Sequence, residues 1–306
     1  LRERRVAGRL GNPNLFAAQL AVLAVFCIGS LRDPGGRAWR WLGGLGWLTA
    51  AAVLSLTGSR GGLLTFAAAS AAAGLIAWRR PPDRVNPSGG AAAARLAGLA
   101  LGAAGLLMAG KTWAAGGGWL GRLGRSDTIR ERLFYWEIAW KVWRRNPLWG
   151  EGPGGFERLY PLLKSPLARE SQYAHSWVFQ YGAELGLVGL GLATAFWLAA
   201  AWRLANALRG RSRRESIAGG AAWEAIWPLL AVLTLAFNGL FEFSLQWREF
   251  LVATGLLAGL GCGALATARG DATPKPAQRM ARWIGLALLG TGAALALGIG
   301  VPLALA

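Results

Sequence analysis

The chain's one histidine, His175, stands where a long polar segment gives way to an apolar block, in the run AHSWVFQYGAELG. An imidazole at such a boundary can act as a general base. Cations are frequent in the preceding segment and disfavour a second positive charge, so a neutral imidazole is expected. Glu184 follows nine residues later in an otherwise uncharged stretch. A carboxylate there is a catalytic candidate; its plainer role is to hold an Arg or a helix end. Arg60, in TGSRGG, and Arg132, in RERLFYWEIAWKVWRR, could each grip a phosphate with two parallel bonds. Arg130 joins them as a substrate-binding candidate. For an isolated Arg the plainer role is an interfacial anchor. Glu242 and Glu249 flank a third turn and could pair with Arg60 or Arg132. Together these types suggest proton abstraction beside an anionic, phosphorylated substrate.

The elements that must position them are membrane helices. Of 306 residues, 54% are apolar, and they fall in long blocks almost free of charge. Blocks of about 18 or more such residues can cross a hydrocarbon core about 30 Å thick. Eight candidate spans are legible: Leu15–Leu31, Trp39–Thr57, Gly62–Trp78, Leu96–Gly110, Trp177–Trp202, Trp223–Leu240, Phe250–Thr267 and Trp283–Pro302. The fourth is the shortest, and the fifth, with its Glu and glycines, could begin with a buried turn. Trp39, Trp78, Trp177, Trp202, Trp223 and Trp283 mark block ends, where an amphipathic ring prefers to sit.

The net charge is +18. Most of it lies in alternate short loops, such as Arg79, Arg80 and Arg84 or Arg209, Arg211, Arg213 and Arg214, which should be cytoplasmic. That distribution argues against nucleic acid as partner. The 57–61 turn, the 111–175 loop and the 241–249 turn then share the opposite side. So does the opening run 1–14, although its four arginines run against the rule. The chain starts at Leu1 with a charged run and stops inside an apolar block, which reads as part of a longer protein.

The expected organisation is therefore all-α and polytopic: N-terminal spans over 1–110, an outer loop over 111–175, and C-terminal spans over 176–306. The loop holds eleven Lys and Arg against six Asp and Glu, which suits an anionic substrate. Inside it, Leu133, Trp136, Trp140 and Trp143 recur at helical spacing, predicting an amphipathic helix whose stripe lies on the membrane surface or against the bundle. Asn146-Pro147 ends that helix. WGEGPGGF follows as a Gly-rich turn, read as flexible; its backbone N–H groups could also meet phosphate. No preceding strand and no P-loop Lys accompany it. Cys27 and Cys262 sit in apolar blocks without metal-ligand or redox spacing. No Asp/His cluster offers a metal site, and no cofactor is implied.

Four stretches, in order, resemble the O-antigen ligase and O-antigen polymerase superfamily of bacterial envelope polysaccharide enzymes. They are GRLGNPNLFAAQL, LTGSRGGLL, RLFYWEIAWKVWRRNPLWGEGPGGF and AHSWVFQYGAELGLVGL. Ser176 stands where that family commonly has Asn. The resemblance implies a GT-C-like membrane glycosyltransferase in the bacterial inner membrane, with its site at the periplasmic face. It implies a glycan donor on undecaprenyl or another polyprenyl diphosphate, and a glycan, lipid-core or protein acceptor. Carried over, Arg60 and Arg132 would bind the diphosphate, His175 would be the base and Glu184 would support the site. A single metal-independent displacement would invert the anomeric carbon. The rival expectation is a non-enzymatic transporter or flippase of an anionic lipid-linked glycan.

Overall fold

A computed structural model describes residues 12–31, 37–78, 127–166, 168–210, 218–242 and 248–269. Among them are helices and turns only. The helices are α1 (Pro13–Ser30), α2 (Arg37–Thr57), α3 (Arg60–Trp78), α4 (Asp127–Trp143), α5 (Gly155–Leu163), α6 (Trp177–Gly210), α7 (Ala218–Asn238) and α8 (Arg248–Arg269).

α1 starts where Asn12 can cap it. The Asn12 side chain accepts from the N–H groups of Asn14 (2.9 Å) and Leu15 (3.4 Å), and Pro13 fills the first helical position without wasting a donor. The helix is apolar all round, so it occupies the centre: Leu15, Ala17, Ala18, Ala21, Ala24 and Val25 are fully buried among α2, α3 and α7. Ser59 caps α3, its Oγ accepting from the N–H of Gly62 at 3.1 Å. Polar ties then fix neighbours in register. Trp47 on α2 donates to Ser70 on α3 at 3.0 Å, and Asn238 on α7 donates to Thr65 on α3 at 3.1 Å. Within lipid such pairs are each worth on the order of 0.6 kcal/mol.

α1, α3 and α6 are long and apolar enough to cross a membrane, and shorter apolar stretches run over Trp223–Asn238 and Val252–Leu265. The protein is a multi-pass membrane protein. Six of the expected spans coincide with α1, α2, α3, α6, α7 and α8. The expected spans at 96–110 and 283–302 lie outside the described residues.

α4 and α5 build a second, smaller core against α6, formed by Tyr135, Ile138, Ala139, Val142, Phe156, Leu159 and Tyr160 with Ala174 and Ala183. The face of α4 that packs here is only partly the expected stripe. Tyr135, Ile138, Ala139 and Val142 form the buried face, whereas Leu133 and Trp140 are exposed. Trp136 and Trp143 line its border: Trp136 stacks on Phe179, and the Trp143 ring lies under Gly182 of α6. The segment carries apolar residues on more than one face, and the position of α6 decides which face is covered.

Candidate active site at the loop–bundle junction

Glu242 is the hub. It follows α7, whose final turn continues as Phe241 and Glu242 donate to the carbonyl of Asn238 at 3.0 and 3.1 Å. Its carboxylate is 1% exposed and faces three elements. Arg132 of α4 donates to Oε1 from Nη2. Asn14, in the first turn of α1, donates to Oε2 at 3.1 Å. His175 sets Nδ1 3.7 Å from Oε2. A buried carboxylate is tolerable only with such partners, because desolvation strongly disfavours an isolated charge.

His175 is held in an unusual way. It is the one non-glycine among the described residues with positive φ, at +53°. That conformation is uncommon outside glycine, and residues held there mark sites where the surroundings over-determine the backbone. Those surroundings are visible on both sides. Gln180, buried, accepts from the N–H of the preceding residue Ala174 at 2.7 Å. Trp177, two residues on, donates its backbone N–H to Gly239 at 2.8 Å and its indole N–H to Ala236 at 3.1 Å. The Tyr135 ring stacks on the imidazole with centroids 5.4 Å apart. Tyr135 lies one turn beyond Arg132, so a single face of α4 supplies both the guanidinium on Glu242 and the ring on His175. Burial foremost, with the Glu131 carboxylate adding, pushes the Tyr135 phenol up, so it stays neutral.

Of the residues singled out in the sequence, Arg132 and His175 therefore meet through Glu242. The charge beside the imidazole is a carboxylate, where the sequence had suggested cations. Arg60 is the first residue of α3 and is exposed. Its neighbour Gly61 abuts the hub: a Cβ there would come within 3.3 Å of Glu242 Oε1. Arg130 does not join them. It is exposed, and residues two apart on a helix point to different sides.

Glu184 has a different engagement. Its carboxylate hydrogen-bonds the Gln180 side chain and the backbone N–H groups of Gly154 and Phe156, at the start of α5. Two N–H groups at a helix start are natural partners for a carboxylate. Gln180 joins Glu184 to the backbone just before His175, so Glu184 supports the site from behind.

The Gly-rich turn, expected to be flexible, is clasped to a break in α6. Gly186 departs from helix geometry with φ 64° and ψ −162°. The amide and carbonyl groups released there bond the turn: Leu187 to Pro147 (2.8 Å), Val188 to Leu148 (3.2 Å), Glu151 to Ala183 (2.9 Å) and Gly152 to Glu184 (3.0 Å). A broken helix near a membrane requires such replacement partners. Gly150 and Gly186 make the approach possible. Each has positive φ, and a Cβ on Gly186 would lie 2.3 Å from the Leu148 carbonyl oxygen.

Sequence reasoning named Glu242 only as an ion-pair partner and passed over Asn14 and Tyr135. Asn14 had a signal in the Asn-Pro-Asn run; Tyr135 had only its spacing from Arg132.

Residues 45–194 match the family described as O-Antigen ligase. That stretch contains Arg60, Arg132, His175, Glu184 and the clasp, while Asn14 and Glu242 lie outside it. No curated protein matches the chain.

Proposed function

We propose that the chain, whose residues 45–194 match the O-antigen ligase family, is an enzyme that moves a glycan from a polyprenyl diphosphate to an acceptor hydroxyl. The observation that carries this reading is the meeting of Arg132 and His175 at the buried Glu242.

In the proposed reaction, Glu242 faces Nδ1 of His175 and keeps the proton there, leaving the other ring nitrogen, Nε2, as base. Nε2 takes the acceptor's hydroxyl proton as the oxygen attacks the anomeric carbon. The bond from that carbon to the diphosphate oxygen breaks, and the electron pair leaves with the diphosphate. One displacement of this kind inverts the carbon. The guanidinium of Arg132, fixed by Glu242 on one edge, presents remaining donors to the leaving group, and the exposed Arg60 adds a second cation. Preorganised donors of this sort are commonly worth about 3 kcal/mol of barrier each.

The acceptor is a glycan, a lipid core or a protein; ligation and polymerisation would use the same machinery. The placement we favour is the bacterial inner membrane, with residues 111–175 on the periplasmic side and a GT-C-like arrangement of about eight spans. The positive charge of the alternate short loops supports that orientation, and the shared position of the starts of α1 and α3, the Arg132–His175 loop and Glu242 supports a common face.

The test is transfer in proteoliposomes with a polyprenyl diphosphate-linked oligosaccharide. His175→Ala should abolish transfer while donor binding persists. Transfer at the wild-type rate would remove the base and the mechanism with it.

A further inference from the structure

The turn that follows α4 carries an arrangement the transfer chemistry does not use. Arg144 and Arg145 are exposed there, followed by the exposed Leu148 (58%) and Trp149 (68%). The turn is not slack. Arg144, Arg145 and Asn146 donate back to Trp140, Val142 and Trp143, and Gly150 donates to Asn146. The Trp143 indole donates to the Pro147 carbonyl at 3.0 Å. The amides of Leu187 and Val188 then pin residues 147 and 148 to the head of the second half of α6.

That half of α6 belongs to a span and exposes Leu187, Val188, Leu192 and Phe196. Leu148 and Trp149 are thus fixed where this apolar surface begins, and the two guanidinium groups stand in the same rigid turn. An indole at the end of an apolar band prefers the headgroup region. Cations placed there are attracted to anionic lipids by about 1 kcal/mol each, equivalent to roughly fivefold. Arg145 pairs with Glu151 at 3.7 Å, a loose pairing that leaves guanidinium donors available.

We propose that residues 144–149 form a binding site for anionic phospholipid headgroups, with Arg144 and Arg145 on the phosphate and Leu148 and Trp149 inserted below it. The site is separate from the Glu242 hub, and the proposal does not depend on the transfer reaction.

The test uses the full chain reconstituted in vesicles of equal phosphatidylglycerol and phosphatidylcholine, then released for native mass spectrometry. The wild type should retain phosphatidylglycerol preferentially. Arg144→Ala with Arg145→Ala should lower that preference by roughly fivefold or more, and Arg144→Lys with Arg145→Lys should keep most of it. An equal preference in the wild type and the double Ala variant overturns the proposal. So does loss of the preference when soluble pyrophosphate is added, which would mark a site for a free diphosphate. In the same vesicles, brominated phospholipid should quench the wild type more than Trp149→Phe. Equal quenching overturns the insertion of the indole.

Discussion

Arg132 and Glu242, 110 positions apart in the chain, form an ion pair that joins α4 to the end of α7. The carboxylate is buried while the guanidinium stays partly exposed. One partner is thus fixed in the protein, and the other keeps an edge for a ligand. The same carboxylate reaches Asn14 and faces His175, so the segment from α4 to His175, the central helix and the last turn of α7 are adjusted around one group.

Removal of that group should cost more than one contact. Glu242→Ala leaves Arg132 without its counter-charge in a half-buried place and should destabilise the protein by about 3 kcal/mol. Glu242→Gln keeps the shape and should cost less, while still slowing transfer because the imidazole loses its carboxylate. Thermal unfolding in detergent and transfer rates, measured on both variants, check this.

Donor binding should depend on the geometry of the guanidinium as well as its charge. Arg132→Ala and Arg60→Ala should each weaken polyprenyl diphosphate binding, and the corresponding Lys variants should restore only part of it, since an ammonium has no fork. Binding to purified protein is the measurement, and equal affinity in all variants would reject the assignment.

The clasp should resist any side chain at its two close approaches. Gly186→Ala combines a positive φ, costing about 1–3 kcal/mol, with a methyl group 2.3 Å from the Leu148 carbonyl oxygen. Gly150→Ala meets the Glu184 backbone at 2.4 Å. Both should open the turn, seen as faster proteolysis after Arg144, Arg145 or Arg158.

Tyr160 gives a pH test of the second core. Its hydroxyl donates to the Arg169 carbonyl at 2.7 Å, and burial pushes its phenol up to about 12. A phenol in the unfolded chain titrates near ~10. The folded state therefore holds its proton more tightly, and this contribution is complete below about 10 and disappears as pH rises through the folded value. Tyr160→Phe should cost about 1 kcal/mol at neutral pH, with the gap from wild type closing at alkaline pH. Unfolding curves at several pH values decide it.

The local features were legible because they are local. The apolar blocks gave α1, α3 and α6, Asn-Pro-Asn and Thr-Gly-Ser-Arg-Gly marked two helix starts, and Asn-Pro ended α4. Alternation of basic loops put 1–14, the Arg60 turn, the Arg132–His175 loop and the 241–249 turn on one side. The described parts of all four meet at Glu242. His175 and Arg132 stood out by residue type alone.

Other features depended on packing that residue spacing does not encode. Four aromatic or aliphatic positions on α4 fitted a helical stripe, yet α6 covers the face containing Tyr135, Ile138 and Val142. WGEGPGGF has the composition of a loose turn; only the broken helix opposite it, supplying amides and carbonyls, makes it rigid. Glu242 was one of two acidic residues flanking a turn, with nothing local to rank it. Its rank comes from Asn14, 228 positions away, and Arg132, 110 away. The sequence by itself marked the apolar segments that form α1, α3 and α6, the helices long and apolar enough to cross a membrane, and the side chains that could do chemistry, because hydropathy and residue type act over a few turns. The tertiary structure decided which of those side chains share a carboxylate, because that depends on how distant helices close upon one another.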